Sequence, residues 1–273
     1  MPGDNARPHE KALTLPADSL IFDLEDAVAL ADKPAAREQV ARSLSAFNYG
    51  QRTLYLRINH PETGLAEDDL ALFADLPDGV GLVIPKVESP AVIEWVLGGL
   101  ERLSYNKPAD ILCNIETPKG ILAAEKIAGC HPSVCGLMAG VNDLAALLHL
   151  PADPARTGLL HALSHLVLAA RAHGLAVYDG VYNQFKNTEG FTIECEQGRI
   201  LGFDGKALIH PSQVEIANQI FSPGTDEIER AKATVAAWEK QAKGIAVQDG
   251  VMVEELHVKT ARRMIKQNST LNT

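Results

Sequence analysis

Short apolar runs that stop on polar residues recur along this chain, and each is followed by a stretch with helical spacing. Residues 111–115 (ILCNI) form a near-continuous apolar run, as a strand buried on both faces requires, and the run stops at Glu116. Thr117 and Pro118 break the strand and let a helix begin near Lys119. The same unit repeats. Residues 17–26 (ADSLIFDLED) predict a strand ending in acids, with a helix over 34–44. Residues 52–59 (RTLYLRIN) end in Arg57 and Asn59, with a helix over 67–74. Residues 81–87 (GLVIPKV) end in Lys86 and lead to a helix over 90–100; the Glu116 strand leads to one over 121–128. Residues 134–139 and a loop carrying Asp143 make a fifth unit, with helices over 144–148 and 158–173. Residues 175–182 (LAVYDGVY) predict the sixth strand, with a helix over 189–201, and 206–211 (KALIHP) the seventh.

Regular alternation of strand and helix predicts a parallel sheet, and the lack of a GxGxxG turn argues against a dinucleotide-binding, doubly wound one. A closed α/β barrel of the TIM (β/α)8 kind fits better, because it gathers the polar strand ends at one mouth. Residues 1–16 offer only a turn and a helix, so the first strand is read as short or missing. Residues 225–243 predict a helix, with Ile228, Ala231, Val235 and Trp238 at helical spacing. A glycine-punctuated stretch (244–253) and a last helix (254–266) follow. The division expected is a barrel over 1–222 and a C-terminal helical extension over 223–273, a lid on its own mouth or on a neighbouring subunit's.

With 273 residues, 46% of them hydrophobic, the chain can bury a full core. A net charge of −10 argues against a nucleic-acid or anionic-membrane surface, since either needs a basic face. Cys113, Cys130, Cys135 and Cys195 form no CxxC pair, and with no membrane-length apolar run and no signal-peptide core the expected location is cytoplasmic.

Two carboxylates at the ends of adjacent strands, Glu116 and Asp143, with no His or Cys nearby in sequence, suit a hard cation such as Mg²⁺ or Mn²⁺. Arg57 is placed to bind a substrate carboxylate or a developing oxyanion. Each has a plainer reading: Glu116 as a carboxylate at a helix start, Asp143 as an N-cap, Arg57 as a structural partner of Asp23 or Glu25. Asp23, Glu25 and Asp26 read as supporting residues, Lys33 and Arg37 as solvated helix charges, His210 as a turn-ordering histidine, and Lys86 receives no role. Residue types alone reach a metal-dependent barrel enzyme acting on a small acid.

The ordered motifs DLEDAV (23–28) with Lys33 and Arg37, LRIN (56–59), PKVES (85–89), NIETPKG (114–120), GVNDL (140–144), YDGVY (178–182), GFDGKALIHPSQV (202–214) and GVMV (250–253) carry the chain further. Together they resemble the citrate lyase β-subunit-like family, grouped with the HpcH/HpaI aldolases and the malyl-CoA and citramalyl-CoA lyases. The resemblance implies a TIM barrel of the phosphoenolpyruvate/pyruvate type, a homotrimer, that uses Mg²⁺ to cleave a 3-hydroxyacyl-CoA thioester. The first substrate expected is (3S)-citramalyl-CoA, giving acetyl-CoA and pyruvate, with malyl-CoA and citryl thioesters next. The resemblance also implies Glu116 and Asp143 as metal ligands, Glu116 and Arg57 as substrate-binding residues, Arg57 as catalytic and Lys11 near the CoA edge. Asn142 stands where the family commonly has Glu, and Glu254 where its lyases carry an Asp that transfers a proton from a neighbouring subunit. Two alternatives are a citrate lyase β subunit served by an acyl-carrier subunit, and a metal-binding homologue without lyase activity acting as scaffold or sensor.

Overall fold

A computed structural model describes residues 1–240, 246–248 and 251–271. Seven parallel strands pair in chain order: β1 (Ser19–Asp23), β2 (Thr53–Arg57), β3 (Val80–Ile84), β4 (Ile111–Ile115), β5 (Val134–Ala139), β6 (Ala176–Asp179) and β7 (Gly205–Lys206). Every residue of β3 and β4 is buried, which is why these two read as unbroken apolar runs rather than as an alternation. A further parallel contact comes from the N-terminal segment, where Pro2 bridges Asp23 and the Gly3 N–H donates to the Asp23 carbonyl at 2.8 Å. The short first strand is thus a single bridge, followed by the helix α1 (Ala6–Lys11).

The sheet is curled. The Tyr55 hydroxyl, on β2, lies 3.6 Å from the Cys135 sulfur on β5. On a flat sheet those strands would stand about 14 Å apart, beyond the reach of a tyrosine. Tyr55, Val83, Leu112 and Met138 form an interior cluster, with Ile21, Tyr178 and Ala207 packed against it, so all seven strands or their ends contribute to one core. Three times around the ladder a bulky interior residue stands beside a glycine: Tyr55 pairs with Gly81, Leu112 with Gly136, Tyr178 with Gly205. A Cβ on Gly81 would fall 2.6 Å from the Tyr55 ring. This alternation of large and small fills the tapering interior of a TIM-type barrel.

The outer face of the sheet (Phe22, Leu56, Leu82, Ile84, Cys113, Ile115 and Val177, all fully buried) is covered by helices. They are α2 (Lys33–Ala46), α3 (Ala66–Asp75), α4 (Pro90–Arg102), α5 (Pro118–Ala128), α6 (Val141–Leu147), α7 (Leu160–Ala172) and α8 (Thr188–Leu201). α5 shows how the sequence sets them. Thr117 caps it by accepting from the Gly120 N–H, Pro118 opens it, and Ile121, Ala124, Ile127 and Ala128 turn one apolar stripe inward.

Several expectations change. β6 and β7 are shorter than their apolar runs suggest. After Lys206 the chain leaves the ladder for a turn, where the His210 side chain accepts from the Ser212 N–H ahead of Pro211, and Ile209 is exposed. α6 begins at Val141, so Asp143 lies in its first turn and not in a loop. Lys33 and Arg37 are not solvated charges. Lys33 is buried and donates to the carbonyls of Leu24 (2.5 Å) and Glu25 (2.7 Å), and Arg37 binds the buried Asp69 at 2.7 Å. Lys33 thus holds the turn that follows β1, whose unpaired carbonyls need donors, while Arg37 holds the start of α3 through Asp69 and the Leu65 carbonyl.

At the ends of β6 and β7 a charge network is closed off from water. Arg156 donates to both Asp179 oxygens (2.8 and 3.0 Å), while Lys206, its side chain fully buried, reaches Asp179 (2.9 Å) and Glu194 (2.7 Å). Two cations meet two carboxylates, so the network is balanced.

The chain divides into two compact units, residues 1–217 and 218–273, with the boundary inside α9 (Val214–Phe221). In the second unit α10 (Thr225–Glu239) and α11 (Glu255–Leu271) flank an antiparallel hairpin of β8 (Ala246–Gln248) and β9 (Val251–Val253). Val253 and Val258 pack with Val235, Ala237 and Trp238, and Arg262 meets Glu239 at 3.1 Å. The predicted end of α10 at 241–243 and part of the glycine-punctuated stretch lie outside the described residues. No helix among the described residues is long and apolar enough to cross a membrane.

Two stability measurements follow from this packing. Gly81→Ala forces a Cβ against Tyr55 and should cost about 1–3 kcal/mol in urea unfolding. Lys206→Met leaves Asp179 and Glu194 short of a cation and should cost about 3–5 kcal/mol in the same assay.

Candidate active site

Strand direction in β4 places Leu112, Asn114 and Glu116 on the interior side, with Glu116 just past the end of the strand at the mouth. Glu116 is only 3% exposed. Its Oε1 accepts from the Lys86 N–H at 2.8 Å and its Oε2 from Asn114 Nδ2 at 2.7 Å. Thr117, not Glu116, caps α5, so the plainer reading of Glu116 as a helix-start carboxylate is not realised. Gly140 covers the carboxylate from the β5 side, and any Cβ there would overlap Glu116 Cβ and Oε2. Burial and then the charges of Glu25 and Asp143 push the Glu116 carboxyl up to about 8, against the pull of the Lys86 N–H and ammonium. Asp143 sits half-buried in the first turn of α6, whose N-cap is Gly140, so it does not cap that helix either.

Arg57 closes the opposite side of the mouth. Its Nε donates to Asp23 Oδ1 at 2.7 Å and its Nη2 to Asp23 Oδ2, a two-pronged ion pair, while Nη1 stands 3.4 Å from Glu25 Oε2. Burial disfavours its charge, but Asp23, with Glu25 and Glu116 behind it, more than offsets that and raises its pKa. The structural ion pair is therefore present, and Nη1 is the edge of the guanidinium left without a hydrogen-bond acceptor. Lys86 reaches across to Glu25 and, at 3.2 Å, to Asp26. Two buried oxygens near this cluster, Glu25 Oε2 and Asn114 Oδ1, have no hydrogen-bond donor. Asn142 and Asn183 exchange amide bonds of 2.8 and 3.3 Å at the rim, so the neutral residue beside Asp143 is held by another amide.

This arrangement fits a small hard cation. A carboxylate repelled by two others binds either a proton or a metal, the donors are all oxygen, and the glycine at 140 leaves the carboxylate room. Among the described residues no cluster of three or more His, Cys, Asp or Glu is spaced to hold an ion, so Glu116 and Asp143 would hold it as a pair, with its other positions open to water or substrate.

Asp143 acts on the Glu116 charge and Glu116 on that of Arg57, so the three lie in one electrostatic neighbourhood, although Asp143 reaches it from the first turn of α6 and not from a strand end. Lys11 does not join them. It is exposed at the end of α1, and its flanking residues are tied to the segment that enters β2: the Tyr49 hydroxyl donates to the His9 carbonyl and Arg52 to the Leu13 carbonyl. Glu254 belongs to the second unit, exposed at the head of α11, its N–H donating to His257 Nδ1 at 3.0 Å. His210 orders its turn, stacked on Phe185 with ring centroids 4.5 Å apart. Sequence reasoning named Glu25 as a supporting residue and put Lys86 at a strand end without a role; it missed Asn114 and Gly140, of which Asn114 carried a signal as the lone amide in an apolar strand.

Comparison with known proteins identifies the family. A family model described as HpcH/HpaI aldolase/citrate lyase matches residues 1–211. A (3S)-malyl-CoA thioesterase of Cereibacter sphaeroides is 43% identical over 274 residues, covering 97% of this chain and 91% of that protein. A citrate lyase subunit beta of Leuconostoc mesenteroides subsp. cremoris is 33% identical, covering 97% of this chain and 90% of its own length. The crystal structure of CitE from Mycobacterium tuberculosis in complex with magnesium, acetoacetate and coenzyme A superposes with a TM-score of 0.80 at 29% identity, covering 98% of this chain and 96% of that one. With its barrel unit matched almost throughout, this chain belongs to the HpcH/HpaI aldolase/citrate lyase family.

Proposed function

We propose that this protein is a Mg²⁺-dependent lyase that cleaves a 3-hydroxyacyl-CoA thioester by retro-Claisen chemistry. The observation that carries the reading is Glu116: a buried carboxylate at the mouth, held by the Lys86 N–H and Asn114, which burial and the charges of Glu25 and Asp143 push up to about 8. In the reaction the C3 hydroxyl loses its proton, the C2–C3 bond breaks, and its electron pair passes to the thioester enolate. The alcohol carbon becomes the carbonyl of a 2-oxo acid, and protonation of the enolate gives acetyl-CoA. A divalent cation held by Glu116 and Asp143 supplies positive charge beside the substrate oxygens. Arg57 Nη1 is the donor for the substrate's carboxylate or the new carbonyl oxygen, with the guanidinium plane fixed by Asp23. Proton return to the enolate is assigned to Glu254 on family resemblance alone. We assign Lys11 no role.

(3S)-Citramalyl-CoA, yielding pyruvate, and (3S)-malyl-CoA, yielding glyoxylate, are the substrates proposed, and the 43% identical relative named for malyl-CoA supports including the second. That relative also favours a second reading, hydrolysis of malyl-CoA to malate and free CoA.

An assay for glyoxylate, pyruvate and oxaloacetate released from malyl-, citramalyl- and citryl-CoA separates these readings. Lyase activity should appear with Mg²⁺, vanish with EDTA and fall at least about 10²-fold in Glu116→Gln. Release of CoA thiol without any 2-oxo acid would replace the lyase by the thioesterase. Silence on all three thioesters would leave the carrier-served subunit or the inactive homologue. A pH series adds an independent check. Between the ordinary glutamate value of 4.5 and about 8, the metal-free folded chain keeps a proton on Glu116 that the unfolded chain has lost. The Glu116 contribution to stability is therefore fully present below 4.5 and is lost as pH rises through about 8. Mg²⁺ must displace that proton, so calorimetric Mg²⁺ affinity should rise across the same window by up to about tenfold per pH unit. A flat profile would contradict the assignment of Glu116 as ligand.

A further inference from the structure

Beyond the two carboxylates, the Glu116 side of the mouth contains a residue in an unfavourable backbone state, as Arg156 (φ +52°) is on the side of the closed charge network. Lys86 has φ +50°, in the left-handed region that a side chain with a Cβ rarely adopts. Its surroundings show what the state achieves. β3 ends at Ile84, and Pro85 has no N–H to give. The Lys86 N–H then turns onto Glu116 Oε1 at 2.8 Å, and the Val87 N–H returns to the Asn114 carbonyl at 3.1 Å. Two consecutive amides thus serve β4, one on its backbone and one on the carboxylate beyond its end. With that N–H on Glu116, an extended or right-handed residue at 86 would swing the next peptide away and lose the Val87 bond to Asn114, so only the left-handed state keeps both amides on β4.

The side chain of the same residue holds that backbone in place. Its ammonium grips Glu25 and lies 3.2 Å from Asp26. Glu25 is itself anchored, since its N–H donates to Asp23 Oδ1 at 2.9 Å and its carbonyl accepts from Lys33 at 2.7 Å. The grip is thus on a fixed point across the mouth.

We propose that Lys86 is a positioning residue whose left-handed backbone aims the metal-binding carboxylate of Glu116, and whose ammonium, clamped to Glu25, keeps that backbone left-handed. The proposal rests on the reading of Glu116 and Asp143 as the cation site. It separates the two halves of one residue: the N–H serves the metal, and the ammonium serves the N–H. Glycine adopts positive φ at no steric cost, whereas alanine does so no more readily than lysine. Glycine at 86 therefore keeps both amides on β4 without the clamp, and alanine does not.

The test is Mg²⁺ affinity, measured by titration calorimetry on the metal-stripped full chain and repeated with Mn²⁺, for wild type, Lys86→Gly, Lys86→Ala and Glu116→Gln. Lys86→Gly should bind within about threefold of wild type, and Lys86→Ala at least about tenfold more weakly than Lys86→Gly, the scale of lost outer-shell support. Removing a positive charge acts alike in both variants, so a purely electrostatic lysine cannot produce that split. A merely structural lysine would shift the melting temperature, recorded alongside, and leave the two affinities equal. Equal affinities for the glycine and alanine variants overturn the proposal. If Lys86→Ala fails to fold, Lys86→Met, which keeps the stem of the side chain, stands in its place with the same expected split from glycine. Glu116→Gln reports on the underlying reading. Wild-type affinity in that variant, or no binding of either cation to wild type, removes the metal assignment and this proposal with it. Weak binding there with equal Lys86 variants removes the proposal alone.

Discussion

The burial of the Glu116 carboxylate among other carboxylates is the constraint on which the mouth of this barrel depends. An ionised carboxylate removed from water needs a compensating charge, and here the nearest charges that matter, after burial itself, have its own sign: Glu25 and Asp143. Each neighbouring feature answers that problem. Asn114 and the Lys86 N–H supply one donor to each oxygen, and Gly140 makes room where a side chain would intrude. What they leave unmet is charge, which is what a proton or a divalent cation brings.

The two sides of the barrel treat charge in opposite ways. At the ends of β6 and β7, Arg156 and Lys206 match Asp179 and Glu194 charge for charge, and Gln197 takes the remaining Arg156 Nε–H at 2.8 Å. Such a closed set specifies geometry and has no vacancy for a ligand. At the ends of β1 to β5 the acids Asp23, Glu25, Asp26, Glu116 and Asp143 outnumber Arg57, Lys86 and Lys33, and Arg57 and Lys86 are drawn toward β1. The excess of negative charge therefore falls on the side where Glu116 and Asp143 stand. Stability is secured on one side of the mouth, and the capacity to bind is left on the other.

The curl of the sheet joins these local facts. It brings Tyr55 to Cys135 in the interior and, one layer higher, places the Glu25 charge within reach of Glu116, from strands separated by two others. Glycines beside Tyr55, Leu112 and Tyr178 let it tighten without voids or overlap. The same curvature sends Lys86 from the end of β3 back to Glu25 beyond β1, so a single side chain spans the β2 strand end that carries Arg57.

The sequence by itself determined the order of strands and helices, the parallel sheet, and the positions of Glu116 and Arg57 at strand ends. All of these follow from one-dimensional features: apolar runs of strand length, helical spacing after them, and a polar residue where each run stops. Tertiary structure alone decided which of those residues face one another. It buried Lys33 and Arg37, which their helix reads as solvated, because the turn after β1 and the buried Asp69 needed donors. It cut β6 and β7 short of their apolar runs, since hydrophobicity marks burial but not ladder pairing. It also gave Lys86, Glu25, Asn114 and Gly140 their places around Glu116, because contact across a barrel depends on curvature and register, and neither is written in the spacing of residues along a single strand.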